Sequence, residues 1–165
     1  MIFVPIDRLR TTLAPLRGER TDSSDLAAMP LRVARTPEAL YEVLDGFKRL
    51  ALWRGEGRTE VPVVVEPVEG PAMKARLLQA NTPSKTASPM DEARIVFSLA
   101  ADDGYSVSAI AKLLGKKPAW VDRRLTLARR LAPELASRVD RGRLSLTRAC
   151  ALTAFTAAEQ GRLAT

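Results

Sequence analysis

Histidine is absent from the 165 residues, which removes the side chain that most often serves as general base, proton shuttle or metal ligand near neutral pH. Triads and dyads built on imidazole are thereby excluded. One cysteine is present, Cys150. Alone it closes no internal disulfide and no cysteine-rich zinc site, and its setting in the apolar run ACALTAF reads as a packed structural thiol. Such cysteine usage fits a reducing cytoplasm. No stretch approaches the ~18 apolar residues of a membrane span, and the opening MIFVPIDRL is too short and too soon charged for a signal peptide. No membrane partner is expected.

What the chain does have is positive charge in one place. The net charge is +7. Residues 1–80 hold 12 Lys and Arg against 11 acids, a net of +1, whereas residues 81–165 hold 14 against 8, a net of +6. Between Lys112 and Arg148 there are 11 basic side chains and only Asp122, Glu134 and Asp140 to oppose them. A generally basic solvated surface would spread its charge evenly. A concentrated block suits a polyanion, because each phosphate neutralised releases a condensed counterion.

Within that block SVSAIAKLLGKKPAWVDRRLTLARR, residues 106–130, has the outline of a helix-turn-helix. Ser106 is an N-cap type of residue, and Val107, Ile110, Ala111 and Leu114 recur at three- and four-residue steps as one apolar stripe. Gly115 marks the reversal and Pro118 a new first turn. In the second helix Val121, Leu125 and Ala128 continue an inward stripe, which leaves Lys116, Lys117, Trp120, Arg123, Arg124 and Arg129 to face outward. Lys116 and Lys117, beside Pro118, are placed to reach phosphates and set register. Arg123 and Arg124 are the candidates for a guanine edge, a contact worth about 1–3 kcal/mol of discrimination. Trp120 either packs against backbone sugars or plugs the core. Arg138, Arg141, Arg143 and Arg148 would extend the phosphate track or simply be solvated.

The first half reads differently. Residues 2–5, 31–35 (LRVAR), 40–45 (LYEVLD) and 61–66 (VPVVVE) are strand candidates, the middle two joined as a hairpin through TPE. FKRLALWRGEG reads as a short helix with Phe47, Leu50 and Ala51 on one side and Trp53 as a packing residue. From Ala72 onward every segment has a helical pattern: residues 72–81, 89–101, 133–141 and 146–155, with a last helix opened by the capping-box pair Thr156 and Glu159. The polar connector NTPSKTASP, residues 81–89, separates the halves. The expected class is α+β: a small N-terminal α/β domain over 1–80, then an all-α helix-turn-helix domain over 81–165.

These landmarks, in this order, carry a family resemblance. VPIDRLR, Pro15-Leu16-Arg17, MPLRV, LYEVLDGFKRLA, VPVVV, Asn81 followed by SPMDEA, and the helix-turn-helix with GRLSLTRA behind it resemble the ParB family of chromosome and plasmid partition proteins over nearly the whole chain. GFKRL paired with WVDRRL looks most like divergent ParB/RepB-like proteins found near mobile elements. The resemblance implies a homodimeric clamp that loads on a double-stranded DNA site, binds CTP with Mg2+ and in many members hydrolyses it slowly. It places the protein on a nucleoid or plasmid in the cytoplasm, with a partition ATPase as a further partner and a C-terminal dimerisation segment beyond the helical domain.

Carried over residue by residue, the nucleotide contacts fall on Arg17, Gly46, Phe47, Lys48, Arg49 and Asn81. Gly46, Arg49 and Arg17 match; Lys48 keeps the charge of an arginine, and Phe47 stands where the family has Glu. Where the family has Glu-Asn and, three residues on, Arg, this chain has Ala80, Asn81 and Ser84, which removes a magnesium contact and a phosphate contact. The segment between Arg17 and Met29 is also about ten residues short, so a helix flanking the pocket is trimmed. Three readings follow: a site-specific DNA binder with or without a CTP switch, an active CTPase, and an adaptor docking an ATPase to DNA. A nuclease is disfavoured, since Asp7, Asp25, Glu42 and Asp45 show no ligand spacing.

Overall fold

Short β-branched runs bounded by turn residues give the first half five strands: β1 (Ile2–Pro5), β2 (Leu9–Arg10), β3 (Leu31–Arg35), β4 (Tyr41–Asp45) and β5 (Glu60–Glu66). They form one mixed sheet in the order β1-β5-β3-β4-β2. The β5–β3 and β4–β2 pairings are parallel, and the other two antiparallel. The computed structural model describes residues 1–18, 29–81 and 87–164, apart from the side chain of Asn81. Among these, 1–15 with 29–81 form one unit, and 16–18 with 87–164 form the other.

Two helices belong to the sheet unit, α1 (Phe47–Gly55) and α2 (Pro71–Asn81). Because successive strand residues point to opposite faces, β4 serves both: Tyr41 and Val43 join Leu50 and Trp53 of α1 in one core cluster. Leu44 joins Ala34 and Met73 of α2 in another. Burying Trp53 and Leu50 contributes about 2 kcal/mol or more each. Glu42, also buried, is satisfied by the Thr12 hydroxyl at 2.7 Å and the Leu13 amide at 3.0 Å.

Two expectations are corrected here. Ala51 is exposed; the inward stripe of α1 is Arg49, Leu50 and Trp53. β5, whose β-branched run VPVVVE suits a buried strand, is buried only in its first half: Val61 and Val63 are inside, but Val65, on the same face, is 40% exposed.

The second unit consists of α3 (Pro89–Ala101), α4 (Val107–Leu114), α5 (Pro118–Arg130), α6 (Pro133–Asp140), α7 (Leu146–Leu152) and α8 (Ala157–Leu163). The expected α+β class holds. Capping boxes open α3, through Ser88 and Asp91, and α8, through Thr156 and Glu159. The Thr156 hydroxyl holds the Glu159 carboxyl below its usual range. α7 stops at Leu152, short of the Phe155 expected: the amides of Thr153, Ala154 and Phe155 bond to the carbonyls three residues back, and the Thr153 hydroxyl also reaches the Cys150 carbonyl at 2.7 Å. Cys150 is half-buried against the core, as its apolar setting suggested.

Asp91 organises the start of α3. Fully buried, it accepts from the amides of Gly18 (2.7 Å) and Ser88 (3.0 Å) and from Arg94 (3.3 Å). Arg94 also pairs with Asp140 of α6, which accepts from the Ser88 hydroxyl at 2.7 Å. Among the described residues no helix is long and apolar enough to cross a membrane.

Candidate nucleic-acid interface

The α4–turn–α5 unit is built by local chemistry. Ser106 Oγ accepts the Ala109 amide at 3.2 Å and so opens α4. Ile110, Ala111 and Leu114 are its buried side. The helix closes on Gly115 at φ 64°. The Lys116 amide then reaches the Ala111 carbonyl (2.8 Å) and the Gly115 amide the Lys112 carbonyl (3.3 Å). This double closure is the Schellman arrangement, and its left-handed residue favours glycine. After two lysines, Pro118 occupies the first position of α5, where its missing N–H costs nothing.

Along α5, Val121, Leu125 and Leu127 are buried and Ala128 half-buried. Lys116, Lys117, Pro118, Arg123 and Arg129 are exposed. They form a basic surface at the turn and along the second helix, as expected. Trp120 is half-buried with two cations against its ring: the Lys116 ammonium lies 5.4 Å and the Arg124 guanidinium 4.8 Å from the centroid.

Arg124 overturns the outward placement expected of it. It is 7% exposed, and its Nε donates to Glu92 Oε2 on α3 at 2.7 Å, with Nη2 at 2.5 Å from the same oxygen. The reason is helical geometry. Arg124 stands three residues after Val121, on the same face, whereas Arg123 is rotated away. Spacing alone contained this signal; the carboxylate that makes an inward arginine tolerable lies 32 residues upstream and was not visible.

The flanking arginines divide. Arg138 donates to the Ala164 carbonyl at 2.8 Å, while Arg141, Arg143 and Arg148 are exposed.

The residues matched to nucleotide contacts lie as follows. Gly46 is the N-cap of α1 at φ 100°, and a Cβ there would fall 2.5 Å from Leu31 Cδ2. Phe47 packs on the sheet core and Lys48 is exposed. Arg49 is 7% exposed: Nη1 donates to the carbonyls of Met29 (2.7 Å) and Pro30 (3.1 Å), and Nη2 to Asp45 (3.1 Å). Arg17 belongs to the second unit, its Nε 3.3 Å from Asp91. The Asn81 side chain, Ser84 and most of the segment between Arg17 and Met29 lie outside the described residues.

Among the described residues, Arg49 Nη1 is engaged by backbone carbonyls and Nη2 by Asp45, while its buried Nε has no partner; Glu42 is held by Thr12 and Leu13. The space beside Gly46 is filled by Leu31.

No model of a known protein family matches the chain, and no curated protein does. Among solved structures, it is similar to the C-terminally truncated chromosome-partitioning protein ParB from Caulobacter crescentus complexed to the centromeric parS site. The identity is 21% and the TM-score 0.50, over 99% of this chain and 98% of that one. A second structure of that truncated ParB, complexed with CTP-γ-S, is similar at 21% identity and a TM-score of 0.42, again over 99% and 98%. The likeness to the parS complex shows that this chain has a ParB-like fold.

Proposed function

We propose that this ParB-like fold binds double-stranded DNA in a sequence-specific manner, with α5 as the helix that enters the major groove. The observation that carries the reading is the exposed set Lys116, Lys117, Arg123 and Arg129 on a helix-turn-helix whose opposite face is packed apolar side chains. The lysines at the turn meet phosphates and set register. Arg123, exposed one turn into α5, presents its fork to a base edge. The proposal includes two copies on a palindromic site, since paired half-sites mirror a two-fold protein, and a place in partition, mobile-element maintenance or gene regulation.

The test is duplex binding across a salt series, by gel shift or anisotropy, with a site selected from randomised duplexes of ~20 base pairs, two helical turns. Tight binding to the selected site with a steep salt slope is expected. Affinity weaker than about 10⁻⁴ M for every duplex at moderate salt, below ordinary non-specific binding, would end the proposal. The DNA-binding reading does not depend on CTP; a nucleotide phosphate at Arg49 would compete with the Met29 and Pro30 carbonyls for Nη1.

A further inference from the structure

We infer that Glu92, on α3 and outside the helix-turn-helix, is a specificity-determining residue: it withholds Arg124 from the DNA so that Arg123 alone reads from that part of α5. This rests on the DNA-binding reading above.

Adjacent arginines at the middle of a groove-facing helix are an ambiguity for recognition. Both are long and forked, and both are drawn to guanine edges and to phosphates. An arginine that reaches phosphate adds affinity for any sequence and so dilutes discrimination. The structure resolves the pair by burying one. Arg124 is 7% exposed with two of its nitrogens on Glu92 Oε2, and its guanidinium lies against the Trp120 ring. Glu92 cancels its charge and occupies its fork. Arg123 keeps its exposure.

Removing the Glu92 charge leaves a cation that is costly to keep buried without its partner. The nearest relief is outward, toward solvent or phosphate. Trp120 then loses the nearer of the two cations held against its ring. The expected sign is therefore opposite to that of simple damage. A structural defect weakens all binding together, whereas release of Arg124 tightens binding to unrelated duplex while eroding the preference for the selected site.

The experiment compares wild type, Glu92→Gln, Arg124→Leu and the double variant. Each is titrated with the selected duplex and a scrambled duplex of the same composition over a salt series, and Trp120 emission is recorded against the constant background of Trp53, buried in the other unit. Glu92→Gln should lower the selected-to-scrambled affinity ratio at least ~tenfold, about 1.4 kcal/mol. It should also leave scrambled binding equal or tighter, steepen the salt slope by ~1 and shift the Trp120 emission. Arg124→Leu, alone and in the Glu92→Gln background, should recover most of the wild-type ratio and slope, because the released cation is gone.

An unchanged ratio and slope in folded Glu92→Gln would overturn the inference, as would a double variant no better than Glu92→Gln. Should Glu92→Gln not fold, Arg124→Leu decides: a wild-type ratio supports the inference and a lost ratio sinks it. Failure of the wild type to bind either duplex would instead remove the DNA-binding reading beneath it.

Discussion

The Ala132 amide donates to Gln160 Oε1 at 2.9 Å, in a setting where the Gln160 side chain is fully buried. The same side chain gives its Nε2 to the carbonyls of Arg130 (2.7 Å) and Phe155 (3.0 Å). One amide thus closes the end of α5, the start of α6 and the turn before α8. Gln160→Leu should destabilise the helical unit by about 3 kcal/mol, since each buried group left unpaired costs about 1–3 kcal/mol. A urea melt followed by circular dichroism checks this, with a lowered midpoint and unchanged slope expected.

Arg123 and Lys117 should fail differently. Arg123→Ala is expected to lose about 1–3 kcal/mol at one base pair and to relax preference there. Lys117→Ala should weaken selected and scrambled duplexes alike and lower the salt slope by ~1. Competition titrations with single-base variants of the selected site separate the two outcomes. Equal losses on every duplex for Arg123→Ala would place it on the backbone.

Gly46 and Arg49 are expected to act as structure. Gly46→Ala combines a left-handed φ of 100° with a Cβ 2.5 Å from Leu31 Cδ2, so a loss of about 2 kcal/mol or more is anticipated. Arg49→Ala frees the Met29 and Pro30 carbonyls from their donor and should lower the melting temperature of the sheet unit. Calorimetric titration of the wild type with CTP and Mg2+ should show no saturable heat. A saturable signal abolished by Lys48→Ala with Arg49→Ala would show that the arginine leaves its carbonyls for a nucleotide.

Stability should fall with acid at one identifiable joint. Arg76, and after it Arg32, hold the Glu66 carboxyl below its usual range, at 3.0 Å and 2.5 Å. With the folded pKa depressed, the contribution is complete above the ordinary glutamate range, ~4.3, and disappears as pH falls through the lower folded value. Unfolding midpoints measured from pH 7 downward should drop less steeply in Glu66→Gln than in wild type. Parallel profiles would place the acid sensitivity elsewhere.

Local devices were legible because they act over a few residues. Ser106, Gly115 and Pro118 announce helix, turn and helix by satisfying or lacking particular backbone donors, and each does so in the structure. The hairpin of β3 and β4, and the capping box of α8, follow the same logic. Ala51 and Arg49 were harder. Arg49 is matched to a nucleotide contact in the sequence, yet on this short helix carbonyls brought from residues 29 and 30 make its burial tolerable.

By itself, then, the sequence determined the element types, the α+β order and the concentration of positive charge around the helix-turn-helix, because periodicity, capping and charge counts are properties of neighbours along the chain. Only the tertiary structure decided which cations stay at the surface. Arg49 and Arg124 are as basic as the exposed Lys48 and Arg123, but a buried guanidinium persists only where distant oxygens meet it. Met29, Pro30 and Glu92 come into place only when the chain folds.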